Sequence, residues 1–156
     1  MKIKQVNQFK CLVFTITSDG NCDTEIKKRI AIAKDTFSKL STVFKNRNIS
    51  METKLRVLQC YVWSTLLYGC ECWTISKELE TRLKATEMWF LRRILRISWT
   101  DMKSNTQVLQ MAGIERSLMK TIKRRQLEFL GHILRKDELE KLVLCGKIEG
   151  KKSIGS

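Results

Sequence analysis

No proline occurs in these 156 residues, where roughly 5% is usual. Nothing in the chain therefore locks φ or removes a backbone donor inside a helix, and long uninterrupted helices are favoured. The apolar spacing agrees. Between Asn21 and Asn46, the residues Ile26, Ile30, Ala33, Phe37, Leu40 and Phe44 recur at alternating steps of four and three. That is one stripe of a 3.6-residue helix. Lys27 and Lys34 fall on a neighbouring strip.

Ser50 is placed to cap a second helix. Its buried side carries Leu55, Leu58, Val62 and Leu66, with Tyr61 alongside, and it stops at Tyr68-Gly69-Cys70. Ser76 caps a third helix that runs to about Ile97. Leu79, Leu83, Thr86, Phe90, Ile94 and Ile97 face its core. At 100° per residue, Arg82, Trp89, Arg92, Arg93 and Arg96 gather on another arc. Ser104-x-x-Gln107 predicts a capping box for a short fourth helix that holds Val108 and Leu109 and ends at Gly113. A fifth helix runs from about Glu115 to Lys136. Leu118, Ile122, Phe129 and Ile133 define its core side, with Lys120, Arg124, Gly131 and Arg135 opposite. Residues 104–136 read as helix, glycine turn, helix, a pattern shared by the DNA-binding helix-turn-helix and the commoner αα-hairpin. A sixth helical piece spans Glu138 to Leu144.

The first twenty residues differ. Phe9, Leu12, Val13, Phe14 and Ile16 form a short apolar run before the turn signal Ser18-Asp19-Gly20. The expected fold is mainly α, a helical bundle with a short N-terminal β-hairpin. Its parts are a β segment at 1–20, a helical bundle at 21–100, a C-terminal helical extension at 101–145 and a mobile glycine- and lysine-rich tail at 146–156.

Charge bounds the function. Lys plus Arg is 30 against 16 for Asp plus Glu, a net +14. The excess is spread over the chain, so this is no basic tail on a neutral body. Such a domain repels itself unless an anionic partner screens it, and nucleic acid is the commonest such partner. No apolar run reaches the roughly 18 residues of a membrane span. Lys2, Lys4 and Lys10 interrupt any signal peptide. An intracellular protein, nuclear or cytoplasmic, is expected. Its six cysteines then read as small buried hydrophobes rather than disulfides. Cys70-x-Cys72 and a single histidine, His132, do not make a metal site.

Catalytic patterns are missing. The aspartates at 19, 23, 35, 101 and 137 form no paired-carboxylate metal site. No phosphate loop or nucleophile elbow occurs. The chain alone is expected to catalyse nothing and to need no cofactor. What it offers is cations. Trp89 lies among Arg82, Arg92, Arg93 and Arg96, where an aromatic ring can stack on a base or take a cation–π contact. It equally suits packing against another helix. On the fifth helix Lys120, Arg124, Arg125, Arg135 and Lys136 hold one side. Gly131 lies among them, where bare backbone admits a phosphate chain or simply kinks the helix.

Several segments resemble one family. Asn7-Gln8-Phe9-Lys10, Thr15-Ile16-Thr17-Ser18-Asp19-Gly20 and Glu25-Ile26-Lys27-Lys28-Arg29-Ile30 are similar to the stretch after the catalytic core of reverse transcriptases from long interspersed element (LINE) retrotransposons. So are Leu66-Leu67-Tyr68-Gly69-Cys70-Glu71-Cys72-Trp73, Arg92-Arg93-Ile94-Leu95, the Gly131-His132-x-x-Arg135 signature and Gly146-Lys147-Ile148-Glu149-Gly150-Lys151. The likeness is strongest to the RTE clade of BovB-like elements. It implies that residues 1–20 end the palm and carry the primer grip, that 21–100 form a thumb tracking the template–primer duplex, and that 101–145 help hold RNA or target DNA. Cys11-Leu12-Val13 stands where the family has Tyr-Leu-Gly. The family's catalytic Asp-Asp box and endonuclease have no counterpart. With its start at Met1, the chain looks like an open reading frame of a truncated element.

The resemblance implies a nucleic-acid-binding fragment whose partners are RNA, DNA or an RNA–DNA hybrid, with the missing palm and fingers as protein partners and no membrane. The alternatives are a basic helical protein–protein module, with Trp63, Trp73, Trp89 and Trp99 as core or interface, and a retrotransposon relic without function.

Overall fold

Serines cap the starts of three helices, at Ser50, Ser76 and Ser104, and glycines follow the ends of two, at Gly69 and Gly113. In the computed structural model, which describes residues 8–11, 14–17, 22–136 and 141–142, α1 (Asp23–Lys39) and α2 (Ser41–Lys45) come first. A segment made of α3 (Met51–Val57), a π-helical turn (Leu58–Trp63) and α4 (Ser64–Leu66) follows. Then come α5 (Lys77–Leu95), α6 (Asn105–Ala112) and α7 (Leu118–Arg135). Ser50 and Ser76 accept from the backbone N–H groups of Thr53 and Leu79. Ser104 and Gln107 form both bonds of the predicted capping box. Gly69 and Gly113 sit at φ 72° and 66°, the left-handed conformation that ends a helix at least cost with glycine.

A short antiparallel pair, β1 (Gln8–Cys11) and β2 (Phe14–Thr17), precedes the helices, with Phe9 opposite Ile16. Its side chains are not among those described, so the fold class rests on the helical bundle. The tail at 146–156 and most of the sixth helical piece lie outside the described residues.

Two departures from simple periodicity have clear causes. The expected single helix from Asn21 to Asn46 is broken at Leu40 (φ −90°, ψ 12°). In a continuous helix Phe37 and Phe44 would lie about 10 Å apart along the axis. With the break their rings stack at 4.4 Å, and Phe90 completes the cluster at 5.0 Å. In the second helix the π turn places residues five apart on nearly one face. Trp63 thereby joins Leu58, Val62 and Leu66 in the core, while Tyr61 remains 59% exposed.

One apolar cluster runs from Cys22 and Ile26 on α1 through Leu83, Phe90 and Leu91 on α5 to Val108, Leu118 and Ile122. Both α6 and α7 pack on α5. Fully burying a leucine-sized side chain contributes roughly 1.5–3 kcal/mol, so these positions dominate cohesion. Phe129 departs from its expected place in the core and is 41% exposed. Contacts on α7 fade after Gln126, whose side-chain amide donates to the carbonyls of Cys70 and Trp73 at 3.2 and 2.9 Å.

Polar groups tie the bundle at two buried points. Arg29 donates to Glu25 at 2.8 Å, both side chains being nearly inaccessible, and its guanidinium lies 4.6 Å from the centre of the Tyr68 ring. Glu87, 1% exposed, accepts from the backbone N–H groups of Ser117 and Leu118. Among the described residues no group of three or more His, Cys, Asp or Glu is placed to hold a metal ion, and no helix is long and apolar enough to cross a membrane.

Candidate functional site

The connection between α5 and α6 is short, bonded and basic. Arg96 leaves α5 in the left-handed conformation (φ 58°) and Met102 adopts it again (φ 42°). Between them Ser98 and Asp101 form a capping box around a single 3-10 turn, Trp99–Asp101. The Asp101 carboxylate accepts from the Ser98 N–H at 2.7 Å. Arg92 bridges the connection from the side, donating to the Lys103 carbonyl and to Asn105 Oδ1, each at 2.9 Å.

This arrangement encloses a groove of about 710 Å³ beside the last turns of α5. Trp89, Arg92, Arg93, Ile97, Trp99, Met102 and Lys103 line it, and no acidic residue does. The Trp89 ring meets Phe90 and Phe37 at 5.2 and 5.7 Å on its inner side. The Arg93 guanidinium sits 4.1 Å from its centre and Lys34 Nζ 5.1 Å. Trp89 is therefore both a packing residue and a seat for two cations from different helices. Each cation–π contact contributes roughly 0.5–1 kcal/mol at a partly exposed site, and the contact presents the Arg93 fork in a fixed plane.

The expected single arc on the third helix divides. Lys34, Trp89, Arg92 and Arg93 come together. Arg96 does not, because the helix ends there and its side chain turns to the Lys45 carbonyl at the end of α2. Arg82 lies three turns earlier and pairs with Glu78 at 3.6 Å. Lys27 pairs with Asp23 at 2.8 Å on the first turns of α1.

The basic side of α7 is also interrupted. Lys120 pairs with Glu115 and Arg124 with Glu128, at 2.7 and 2.9 Å. Arg125 turns inward, half-buried, to the Leu67 carbonyl and Glu71. Arg135 lies across Gly131, its guanidinium 3.4 Å from where a β-carbon would stand. The expected bare backbone is thus covered by the arginine itself. Lys136 is exposed just past the helix. Hydrogen bonds from Lys120 and Lys84 hold the Glu115 and Glu80 carboxyls below their ordinary range. Burial pushes the Cys70 thiol up, with Glu71 adding to the effect.

Trp99, Met102 and Lys103 complete the groove and were not among the expected site residues. Their signal was present. Ser98-x-x-Asp101 immediately before Ser104-x-x-Gln107 places two capping patterns back to back. Such spacing leaves Trp99 no helix or strand on which to be buried.

No family model matches the chain, and no solved structure matches it. It is similar to an uncharacterized transposon-derived protein of Caenorhabditis elegans, 26% identical over 143 residues, which cover 88% of this chain and 50% of that protein. The chain therefore spans about half the length of the curated relative it matches. The likeness is consistent with a transposon origin.

Proposed function

We propose that this chain is a nucleic-acid-binding helical part of a LINE-type retrotransposon reverse transcriptase, without a polymerase centre of its own. Its helices 21–100 act as a thumb that follows a template–primer duplex of RNA, DNA or both. The observation that carries the nucleic-acid reading is the groove beside α5, where Arg92, Arg93 and Lys103 stand with two tryptophans and no carboxylate. Elsewhere many exposed cations are answered by an acid one turn away. Such exposed pairs contribute little in water, so a phosphate chain displaces them at small cost. The net +14 supplies the long-range attraction,.

Salt titration of duplex and hybrid binding tests the proposal. Log K should fall linearly with log salt, at a slope of roughly −0.9 per neutralised phosphate. Binding that ignores salt, or no binding at low salt, overturns it. On a primed template with Mg²⁺ the chain should incorporate no nucleotide, and incorporation above background would refute that part.

One observation favours a second role. Leu127, Leu130 and Leu134 form an exposed apolar strip along α7, at 68%, 39% and 42% exposure. It suits contact with a palm or fingers domain of the same enzyme. Co-purification with separately expressed palm and fingers, lost on replacing these leucines by Ser, is the test.

A further inference from the structure

Trp99 is 96% exposed, more than any other large hydrophobic side chain among the described residues. Its position is nevertheless fixed. The Ser98–Asp101 box closes the turn beneath it, and Arg92 bolts the chain that follows. A built turn holds an indole in water at the mouth of a groove whose charged side chains are Arg92, Arg93 and Lys103. Met102, 91% exposed, stands beside it.

We infer that Trp99 is a stacking platform for an unpaired nucleobase, with Arg93 and Lys103 meeting the flanking phosphates, so that this groove takes a single strand rather than a duplex. The inference rests on the nucleic-acid reading and makes it specific. In a duplex each base is covered on both faces by its neighbours and has no face to offer. A single-stranded template or overhang does, and aromatic stacking accepts any base because every base has a π-face. The Arg93 fork, held over Trp89, is already oriented for a phosphate,. Charge decides between occupants, since a lining with three cations and no acid fits a polyanion better than a neutral protein surface,.

Fluorescence anisotropy of the full chain separates the possibilities. The probes are single-stranded RNA and DNA of about 12 nucleotides, within the usual span of such grooves, and a blunt hairpin duplex whose loop is a non-nucleotide linker, so that it offers no unpaired base. Trp99→Ala should weaken single-strand binding about tenfold, in line with the loss of one base–aromatic stack. It should leave the hairpin within about twofold, and Trp99→Phe should restore most of the loss. An unaltered melting curve is expected because the side chain has almost no protein contact to lose. Wild-type binding that Trp99→Ala leaves intact, or weakens equally on strand and hairpin, overturns the inference while leaving the nucleic-acid reading standing. Absence of wild-type binding to every probe at low salt overturns both. Loss of a concentration-dependent dimer, with strand affinity unaltered, assigns the ring to a contact between copies and also overturns it.

Discussion

The Glu87 carboxylate on α5 accepts the backbone N–H of Leu118, the first residue of α7, at 3.0 Å, and the preceding Ser117 N–H at the same distance. A helix that starts with no side-chain cap of its own is thus capped from another helix, thirty residues earlier in the chain. The carboxylate also meets the positive end of the helix dipole.

Replacing Glu87 by Ala leaves one buried and one half-buried donor without this acceptor and should cost about 2–4 kcal/mol. Glu87→Gln keeps one accepting oxygen in place, and its amide replaces the second carboxylate oxygen, which has no partner. It should cost less than half as much. Urea denaturation of the two variants checks the order, and equal losses would show that the cap contributes nothing.

Arg29 carries a second prediction. Removing it by Arg29→Met takes the guanidinium away from the buried Glu25 carboxylate, at a cost of about 3–5 kcal/mol. Adding Glu25→Leu should recover most of that loss, because a buried ion pair is often no more stabilising than an apolar pair of similar volume. A double-mutant cycle by chemical denaturation measures both effects.

The Glu115 carboxyl is held low by its hydrogen bond from Lys120. The sign follows from linkage: a lowered folded value means the pair's stabilisation is present above the ordinary glutamate range and disappears as pH falls through the lowered one. An NMR titration of Glu115 should show this depressed midpoint, and Lys120→Ala should return it to the ordinary range. High salt should shrink the shift, since both side chains are exposed,.

Arg93→Gln tests the groove from its cationic side. It removes one phosphate contact and the cation on Trp89 together. Nucleic-acid affinity should fall and the salt slope should flatten by about one unit. Arg82→Gln, three turns away and already paired with Glu78, should change neither by much.

Local rules were legible where they act locally. Ser50, Ser76, Ser104 and Gly113 marked helix ends because capping bonds span only three or four residues. Ile26, Leu83, Phe90 and Ile122 were legible as core because one face of each helix is apolar. Long-range ties were not. Glu87 reads as one more helix-surface acid until α7 is brought to it, and Arg29 as one more lysine-like charge until Tyr68 covers it. The Leu40 break serves a stack between Phe37 and Phe44 that periodicity alone would have kept apart. A helical wheel points every member of the arginine arc outward from a straight rod, and Arg96 lies beyond the rod's end. The groove itself depends on a turn, and the helical wheel is silent about turns.

The fading grip on α7 has a mechanical consequence. Its buried side chains, Leu118 and Ile122, lie in the first turns, and Gln126 makes the last tie to the 70–73 segment. Residues 127–135 then extend roughly 13 Å further as a cantilever, at 1.5 Å per residue. Amide hydrogen exchange should quicken steadily along that beam toward Arg135, while the root at Ile122 exchanges only when the whole bundle opens. Whatever grips the leucine strip would stiffen the free end without touching the root.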